Sequence, residues 1–265
     1  MKGATVAIRL KTSQQIERMR AAGRIVRQVL DRLGAMIAPG LTTEQLDAEA
    51  ERLCRERRAE CLFKGVPGRG GAGPFPGSIC VSIDEEVVHG IPSRDRVIRS
   101  GQIVSLDFGV KLNGWCGDAA ETFVVGPVAP EVGHLVDVTR NCLELAVRMV
   151  RPLGRWSEVA AAMQEYVESE GFSVVREFVG HGIGQEMHED PKVPNFLSRE
   201  LAANDIILQP GLVLAVEPMV NMGGPAVEYA ADGWTVVTTD RLPSAHFEHM
   251  IAVTSAGPAV LTDGR

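Results

Sequence analysis

The sequence predicts an α+β fold of two similar halves, about residues 10–128 and 129–257, that face each other around one central site. In each half, two helical patterns precede a set of strand patterns. Each half also places an acidic residue six positions after a strand-opening glycine, Asp107 in the first half and Glu217 in the second. This shared order indicates that the two halves are structural counterparts.

In the first half, helical patterns cover residues 13–38 and about 42–58, and Pro39 ends the first of them. A loop rich in glycine and proline follows and leads to the strand pattern SICVSI. Two longer stretches, GQIVSLDFGVKL and WCGDAAETFVVG, are joined by Asn113-Gly114, a pair typical of a two-residue hairpin turn. We therefore expect two helices and an antiparallel sheet.

The second half repeats that order. Helices are predicted over residues 131–150 and 157–170, the latter capped by Ser157, and a strand over residues 172–179. The strand patterns GLVLAVEPMV, TVVTTD and AHFEHMIAVT follow. The number of residues between Pro39 and Pro152 is nearly the same as the number between Asp107 and Glu217. The offsets predict an internal duplication within one catalytic domain spanning residues 1–265.

Composition favours a soluble protein of the cytoplasm. The net charge of −7 argues against a nucleic-acid-binding protein, which would carry a basic patch. The N-terminal sequence MKGATVAIRLKTSQQ has no apolar stretch long enough for a signal peptide, and the chain has no run of about 18 apolar residues that would span a membrane. The five cysteines are odd in number and form no CxxC pair, which is typical of reduced thiols.

The predicted hairpin brings two carboxylates together. Its two-residue turn places Gly109 opposite Asp118, and Asp107 lies two residues from Gly109 on the same face. Diagonal neighbours of this kind are about 7–8 Å apart at the backbone, so both carboxylates can hold one ion. The alternative is a pair of solvent-facing aspartates. Apolar residues around Asp107 argue against it, because a buried carboxylate without a cation is costly.

Three further side chains of metal-ligand type stand in strand-like or glycine-rich segments of the second half. His181 lies between two glycines in GHGIGQEMHEDP, Glu217 ends the apolar run LVLAVEP, and Glu248 lies within AHFEHMIAVT. For the two glutamates the alternative is pairing with lysine or arginine, which neither strand places beside its glutamate. Four acids and one imidazole disfavour a structural zinc site and suit a pair of divalent ions. A metal-dependent hydrolase of amides, or less specifically of phosphoesters, is expected.

The motifs VVHGIP, SLDFGV, GWCGDAAETF, GHGIGQEMHEDP, AVEPMV and AHFEHMIAVT, in this order, resemble those of type I methionine aminopeptidases. The resemblance covers about residues 10–257. It implies the pita-bread fold, in which two pseudo-symmetric halves each pack helices on a curved antiparallel sheet. It also implies removal of the initiator methionine from nascent polypeptides, near the ribosome, when the second residue is small. The expected protein is a monomer that binds neither nucleic acid nor membrane.

The resemblance also implies a role for each ligand. Asp107 would chelate one of two divalent ions (Co, Mn, Fe(II), Ni or Zn), and His181 with Glu217 would mainly bind the other. Asp118 and Glu248 would bridge the two ions. Glu217 would in addition act as the catalytic proton shuttle.

Two more histidines receive roles from the resemblance. His89 would lie near the substrate amine and the scissile amide, and His188 would help to polarise the carbonyl. For both, the alternative is a structural imidazole. An apolar pocket with polarisable sulfur suits a methionine side chain, although plain core packing is the alternative. The residues implied for that pocket are Cys61, Phe75, Cys80 and Trp234.

Several positions depart from the family pattern. The loop GVPGRGGAGPFPGS is longer than the common bacterial form, which leaves the alignment of Phe63 and Phe75 to the pocket open. Met187 stands where the family often has phenylalanine. Asp84 stands where asparagine often lies near a monovalent cation, so the sequence leaves open whether such an ion binds. His246 shares a strand face with Glu248 and is a candidate for tuning a ligand.

Other proteins of the same fold offer alternative functions. Xaa-Pro aminopeptidases and prolidases use the same five ligands but usually carry an additional N-terminal domain, and about ten residues precede the first helix here. Type II methionine aminopeptidases have a helical insertion between their two glutamates, for which the short segment from Glu217 to Glu248 leaves no room. A pita-bread binding protein would typically have lost ligands, whereas all five are present.

Overall fold

A computed structural model describes residues 8–264 as two successive sets of helices and antiparallel sheets. Residues 1–7, which carry part of the expectation about a signal peptide, lie outside the described residues. Within residues 8–264, the helices are all too short or too polar to cross a membrane.

The first half contains two helices packed on a four-stranded sheet. Each helix begins at a capping box in which a threonine, Thr12 or Thr42, accepts a hydrogen bond from a glutamine backbone N–H. Buried leucines of the helices pack on Leu106 and Phe108 of the sheet. The elements are α1 (Ser13–Met36), α2 (Thr43–Glu56), β1 (Glu60–Cys61), β2 (Cys80–Ile83), β3 (Glu86–Val88), β4 (Gln102–Leu112) and β5 (Trp115–Val125).

The second half packs its two long helices on strands around the buried side chain of Trp156. Its strands form a three-stranded and a five-stranded antiparallel sheet, and a further sheet joins it to β3 of the first half. The elements are α3 (Pro130–Met149), α4 (Trp156–Ser169), β6 (Ser173–Val174), β7 (Gly180–Gly182), β8 (Glu189–Val193), α5 (Arg199–Ala203), β9 (Val213–Val216), β10 (Met219–Asn221), β11 (Val227–Tyr229), β12 (Val236–Thr238), β13 (Ser244–His246), β14 (His249–Thr254) and β15 (Gly257–Val260).

The helix predictions are confirmed to within a few residues at their ends, but the prediction of Ser157 as a cap is wrong. Helix α4 begins one residue earlier, and its N-cap, Arg155, makes no side-chain capping bond. Instead, Ser157 donates hydrogen bonds to the Asp205 carboxylate from its backbone N–H (3.0 Å) and from its hydroxyl (2.5 Å). A carboxylate from a distant segment therefore caps the helix, a contact that local sequence cannot reveal.

The strand predicted over residues 172–179 is mostly wrong, because only β6 within it is a strand. This short strand pairs with β10 at two positions, and the chain then turns away toward β7. Thus the chain exchanges one sheet for another before it reaches His181, in β7. The apolar residues of this segment indicate that it is buried, but they do not indicate that the chain passes from one sheet to another.

Two predicted strands of the second half are each interrupted in the middle. Glu217 and Pro218 separate β9 from β10, and Phe247 and Glu248 separate β13 from β14. Pro218 cannot donate a hydrogen bond to a strand ladder, which explains a break at this level. The pairings on the two sides, β9 with β14 and β10 with β13, keep one register. That register places Glu217 opposite Glu248.

The two halves meet where β5 runs beside β13 and β14. The Glu248 N–H donates to the Ala120 carbonyl oxygen (2.9 Å). The His246 N–H donates to the Thr122 hydroxyl oxygen (2.9 Å), and the same hydroxyl donates to the His246 carbonyl (2.8 Å). The junction is therefore held by backbone groups of Glu248 and His246, which bond to a carbonyl and to a side-chain hydroxyl of β5.

Gly101 and Gly211, the glycines that precede the two acidic positions, have matching environments. Both adopt a left-handed conformation, with φ of 92° and 99°. The Gly101 N–H donates to the Val125 carbonyl (2.7 Å), and the Gly211 N–H donates to the Val253 carbonyl (2.8 Å). Each glycine thus begins its strand with the same turn and the same cross-strand bond.

Candidate metal centre

One cavity collects the five predicted ligands from both halves of the chain. Two of them come from the first half and three from the second, so the fold brings together side chains that are far apart in the sequence. The five are Asp107, Asp118, His181, Glu217 and Glu248.

The aspartates reach the cavity through the predicted hairpin. The register of β4 with β5 pairs Gly109 with Asp118, as the turn at Asn113-Gly114 predicts. Gly109 is required for space, because a Cβ there would lie 2.9 Å from the Phe63 ring and 3.3 Å from Asp118 Oδ1. The glycine thus leaves room for the carboxylate opposite it.

His181 reaches the same cavity from β7, where the glycines on both sides allow close packing. A Cβ at Gly180 would lie 2.3 Å from the Ala215 carbonyl oxygen of the neighbouring strand. The ring Nδ1 of His181 lies 3.0 Å from the Gly182 carbonyl oxygen. A proton on Nδ1 makes this hydrogen bond and leaves the lone pair of Nε2 facing the carboxylates.

The distances among these side chains suit ion binding. Ligand atoms of Asp118, His181 and Glu248 all lie within 4.8 Å of one another. His181 Nε2 is 3.8 Å from Asp118 Oδ2 and 3.6 Å from Glu217 Oε1. Removal from water lowers the pKa of His181. The imidazole is therefore neutral at neutral pH, which is the state that binds a metal.

The four carboxyl groups have raised pKa values because they are removed from water. Burial raises the pKa of Asp107 and of Glu217 to about 7. It raises the pKa of Asp118 and of Glu248 well above the ordinary range, and the neighbouring carboxylates raise both further. Such a cluster of like charges is unfavourable without cations.

Two carboxylate oxygens in the cluster show that a cation fits. Asp118 Oδ1 and Glu248 Oε1 are buried and have no hydrogen-bond partner within residues 8–264. A buried acceptor without a donor is costly, and divalent cations satisfy carboxylate oxygens directly. The donor set thus fits divalent metal ions.

The two other predicted histidines also line the cavity. His89 is half-buried and follows β3 with φ of 61°, a left-handed conformation that is uncommon outside glycine and asparagine. Burial, followed by the neighbouring His246, His188 and Arg69, lowers the pKa of His89 to about 4. His188 is exposed, and its ring centroid lies 4.4 Å from that of His181.

Three of the four residues predicted for the methionine pocket lie beside the ligands. Phe75, Cys80 and Trp234 line the cavity, and the rings of Phe75 and Trp234 meet edge to face with centroids 5.1 Å apart. Cys61 is absent from the lining among the described residues. It lies opposite Val110 in β1 and packs toward the helices of the first half, because it occupies the other face of that sheet edge.

Three more residues line the cavity at positions that sequence reasoning left open. Phe63 and Met187 are positions where the sequence differs from the family pattern or where its alignment to that pattern is open. Val66 lies in the long loop. Two hydrogen bonds close that loop at its base, from the Gly65 N–H to the Phe75 carbonyl (2.8 Å) and from the Phe75 N–H to the Val66 carbonyl (2.9 Å). The sequence signals for this wall were the apolar residues in and beside a glycine-rich loop and, for Met187, the resemblance to the family.

Asp84 lies in the turn between β2 and β3, with φ of 52°. Its carboxylate accepts hydrogen bonds from the Ile103 N–H (3.0 Å) and from Gln102 Nε2 (2.8 Å). Its backbone carbonyl accepts a bond from the Ser244 N–H (2.8 Å). The side chain thus stabilises the turn.

The fold and the carboxylate-rich centre together define a metallopeptidase. The family model described as metallopeptidase family M24 matches residues 17–255. A crystal structure of methionine aminopeptidase from Thermotoga maritima superposes with a TM-score of 0.90 at 41% identity, covering 97% of this chain and 99% of that one. Xaa-Pro dipeptidase from Bacillus anthracis, at 23% identity and a TM-score of 0.72, shares the fold.

The sequence comparison points to a narrower group of proteins than the shared fold does. Methionine aminopeptidase 1 of Bacillus subtilis is 46% identical over 252 residues, which are 95% of this chain and 98% of that protein. The chain belongs to metallopeptidase family M24 and, within it, to the methionine aminopeptidases. The pita-bread fold expected from the motifs is thereby confirmed.

Proposed function

We propose that this protein removes the N-terminal methionine from nascent polypeptides whose second residue is small, with two divalent metal ions at its centre. The observation that carries the proposal is the meeting of five ligand side chains and an apolar pocket in one cavity. The 46% identity to a methionine aminopeptidase supports this function over a prolidase, since the prolidase-type likeness extends to the fold alone.

Asp107, Asp118, His181, Glu217 and Glu248 would hold the ions. Oxygen-rich sites with one imidazole accept Co, Mn, Fe(II), Ni or Zn, so the ligand set leaves the native metal open. When bound, such ions lower the pKa of a water molecule and polarise a carbonyl.

The remaining chemistry belongs to side chains of this protein. The carboxylate of Glu217 faces the cavity, where it would accept and return a proton as a general acid–base group. His89 is neutral at neutral pH and so can exchange hydrogen bonds with the substrate amine or amide. His188, an exposed residue that lines the cavity, would donate a hydrogen bond to the substrate carbonyl.

The apolar wall would select the methionine side chain. Phe63, Phe75 and Cys80 form a buried cluster, with Met187 and Trp234 packed against it. Aromatic rings and polarisable sulfur atoms bind a thioether well, and they exclude water from the scissile bond. A methionine side chain bound against this wall would bring the scissile bond next to the candidate ligands.

We further infer that the two halves act as one catalytic domain derived by duplication. The matched turns at Gly101 and Gly211 support this. We also infer a cytoplasmic monomer that acts near the ribosome without binding nucleic acid, which agrees with the net charge of −7. A monovalent cation near the turn at Asp84 remains part of this proposal, and the Asp84 carboxylate, which accepts two hydrogen bonds, keeps acceptor positions for one.

Two peptides test the function. The metal-loaded protein should release methionine from Met-Ala-Ser and leave a Xaa-Pro peptide uncut, and a chelator should abolish the release. Cleavage of the Xaa-Pro peptide without release of methionine would favour a prolidase. Failure to cut either peptide, together with failure to bind metal, would favour a binding protein.

A further inference from the structure

His246 has a rigid backbone at the junction of the two halves. It is the last residue of β13, and its side chain is 2% exposed. Its N–H and its carbonyl both bond to the Thr122 hydroxyl, which lies 2.8 Å from the Ser105 hydroxyl. The Thr122 hydroxyl thus donates one hydrogen bond and accepts two, which uses all of its hydrogen-bonding positions. These bonds fix the backbone of His246 to β5.

The ring of His246 faces the ligand Glu217. Its Nε2 lies 3.6 Å from Glu217 Oε2, and His181 Nε2 lies 3.6 Å from Glu217 Oε1. Each oxygen of the carboxylate therefore faces a different imidazole. His246 Nε2 is buried and has no hydrogen-bond partner within residues 8–264. A histidine that served only to fill the core would leave this polar atom uncompensated.

Two observations separate His246 from His181. Among the described residues, the His246 ring lies within 4 Å of one carboxylate, that of Glu217, whereas the His181 ring lies within 4 Å of two, those of Asp118 and Glu217. The 3.6 Å separation from Glu217 is also slightly too long for a hydrogen bond, so a shift of a few tenths of an ångström would form one. A histidine this close to a ligating carboxylate matches the outer partners that orient metal ligands.

We propose that His246 is a positioning residue of the metal centre, donating a hydrogen bond from Nε2 to Glu217 Oε2. This bond holds Glu217 with its other oxygen toward the metal and next to His181. The role rests on the proposed function, since it requires Glu217 to bind a metal ion.

Three variants test the role. His246→Leu keeps a similar volume but removes the donor, and His246→Gln keeps an N–H donor. His249→Gln is the control, because His249 is a half-buried histidine on the adjoining strand whose Nδ1 lies 2.9 Å from the Thr262 hydroxyl. The metal-free proteins are titrated with Co²⁺, followed by visible absorption and calorimetry, and their folding is checked by circular dichroism.

We expect His246→Leu to weaken Co²⁺ binding about 10- to 100-fold, as loss of an outer partner typically does, and to alter the visible band. His246→Gln should stay within a few-fold of the unaltered protein, and His249→Gln should match it. Unchanged Co²⁺ affinity and spectrum in folded His246→Leu would overturn the role. So would equal weakening in the Leu and Gln variants. If the unaltered protein bound no Co²⁺, the proposed function itself would fail.

Discussion

Glu217 lies opposite Glu248 at the level where both paired strands of the second half are interrupted. The backbone groups released by the break are bonded elsewhere. The Glu217 carbonyl accepts from Asn195 Nδ2 (3.0 Å), and the Glu248 N–H donates to Ala120 of the first half (2.9 Å). The break therefore turns both carboxylates toward the aspartates of the other half without leaving these two backbone groups unpaired.

Asp118 is the ligand at which loss of charge should matter most, because it is buried among three other carboxylates. We expect Asp118→Asn to lower kcat for Met-Ala-Ser on the order of a thousandfold or more, since several kcal/mol of stabilisation of the transition state is lost. The metal-free variant should be at least as stable as the unaltered protein, because the substitution removes a carboxyl group that burial and its acidic neighbours make costly to ionise. Steady-state kinetics and thermal unfolding measure both effects.

The matched control is Asp137→Asn on the exposed face of α3. It should leave both quantities unchanged. Near-normal kcat in Asp118→Asn at saturating metal would contradict the proposed mechanism.

His89 offers a test of substrate contact separate from metal binding. Because its φ is 61°, alanine would add backbone strain, whereas asparagine tolerates this conformation. We expect His89→Asn to lower kcat by about 100-fold through loss of the imidazole, with the metal content unchanged. Metal analysis beside the kinetics separates the two effects. Normal kcat, or loss of metal in proportion to activity, would show that His89 does not act on the substrate.

The pocket residues differ in what they contact. Phe75 lines the cavity and Cys61 does not. We expect Phe75→Ala to lower kcat/KM for a methionyl peptide by roughly 10- to 200-fold, the range associated with small changes in an apolar pocket. The same variant should gain activity on an N-terminal phenylalanine relative to methionine. Cys61→Ala, as the control, should retain the kcat/KM of the unaltered protein, and a loss equal to that of Phe75→Ala would refute this assignment of the pocket.

Metal binding should be linked to protons. Because the pKa values of Asp107 and Glu217 are raised to about 7, the folded metal-free protein binds more protons than the unfolded chain between about pH 4 and pH 7. These two groups make their full contribution to folding stability below the pKa values that they have in the unfolded chain. That contribution is lost as pH rises through 7. Histidines whose pKa values are lowered by burial act in the opposite sense near pH 6.5, so the comparison is made with Asp107→Asn. The loss of thermal stability from pH 5.5 to pH 8 should be smaller in this metal-free variant than in the metal-free unaltered protein.

Metal ions compete with these protons, so metal affinity should rise over the same pH interval and binding should release protons. Calorimetry in buffers of different ionisation enthalpy counts the protons. An affinity that does not change from pH 5.5 to pH 8 would mean that the carboxylates are already ionised without metal.

A buried ion pair outside the centre supports the segment that carries His188. Lys11 Nζ lies 2.8 Å from Glu189 Oε2, with both side chains less than a tenth exposed, and Glu189 Oε1 accepts from the Gln185 N–H (3.0 Å). Lys11→Met leaves the glutamate unpaired, which should lower the free energy of unfolding by about 3–5 kcal/mol. Denaturant titration measures this. Arg94→Met removes an exposed pair with Glu44 and should cost less than about 1 kcal/mol.

Sequence periodicity predicted the parts of this fold that depend on neighbours in the chain. The hairpin register, and with it the common face of Asp107 and Asp118, follows from a two-residue turn, and the structure confirms it. The cap of α4 could not be predicted, because Asp205 reaches Ser157 from a distant part of the chain. Likewise, the burial of a strand does not say which face of its sheet a residue such as Cys61 occupies, nor how a long loop closes.

The number of ions bound at full activity tests the central claim most directly. Metal-free protein is titrated with Mn²⁺, and the ions bound per chain are counted while release of methionine from Met-Ala-Ser is followed. The proposed centre predicts that activity reaches its maximum only as a second ion binds, with the two ions coupled in the electron paramagnetic resonance spectrum. Full activity with one ion per chain, and no second ion at saturation, would contradict a two-metal centre.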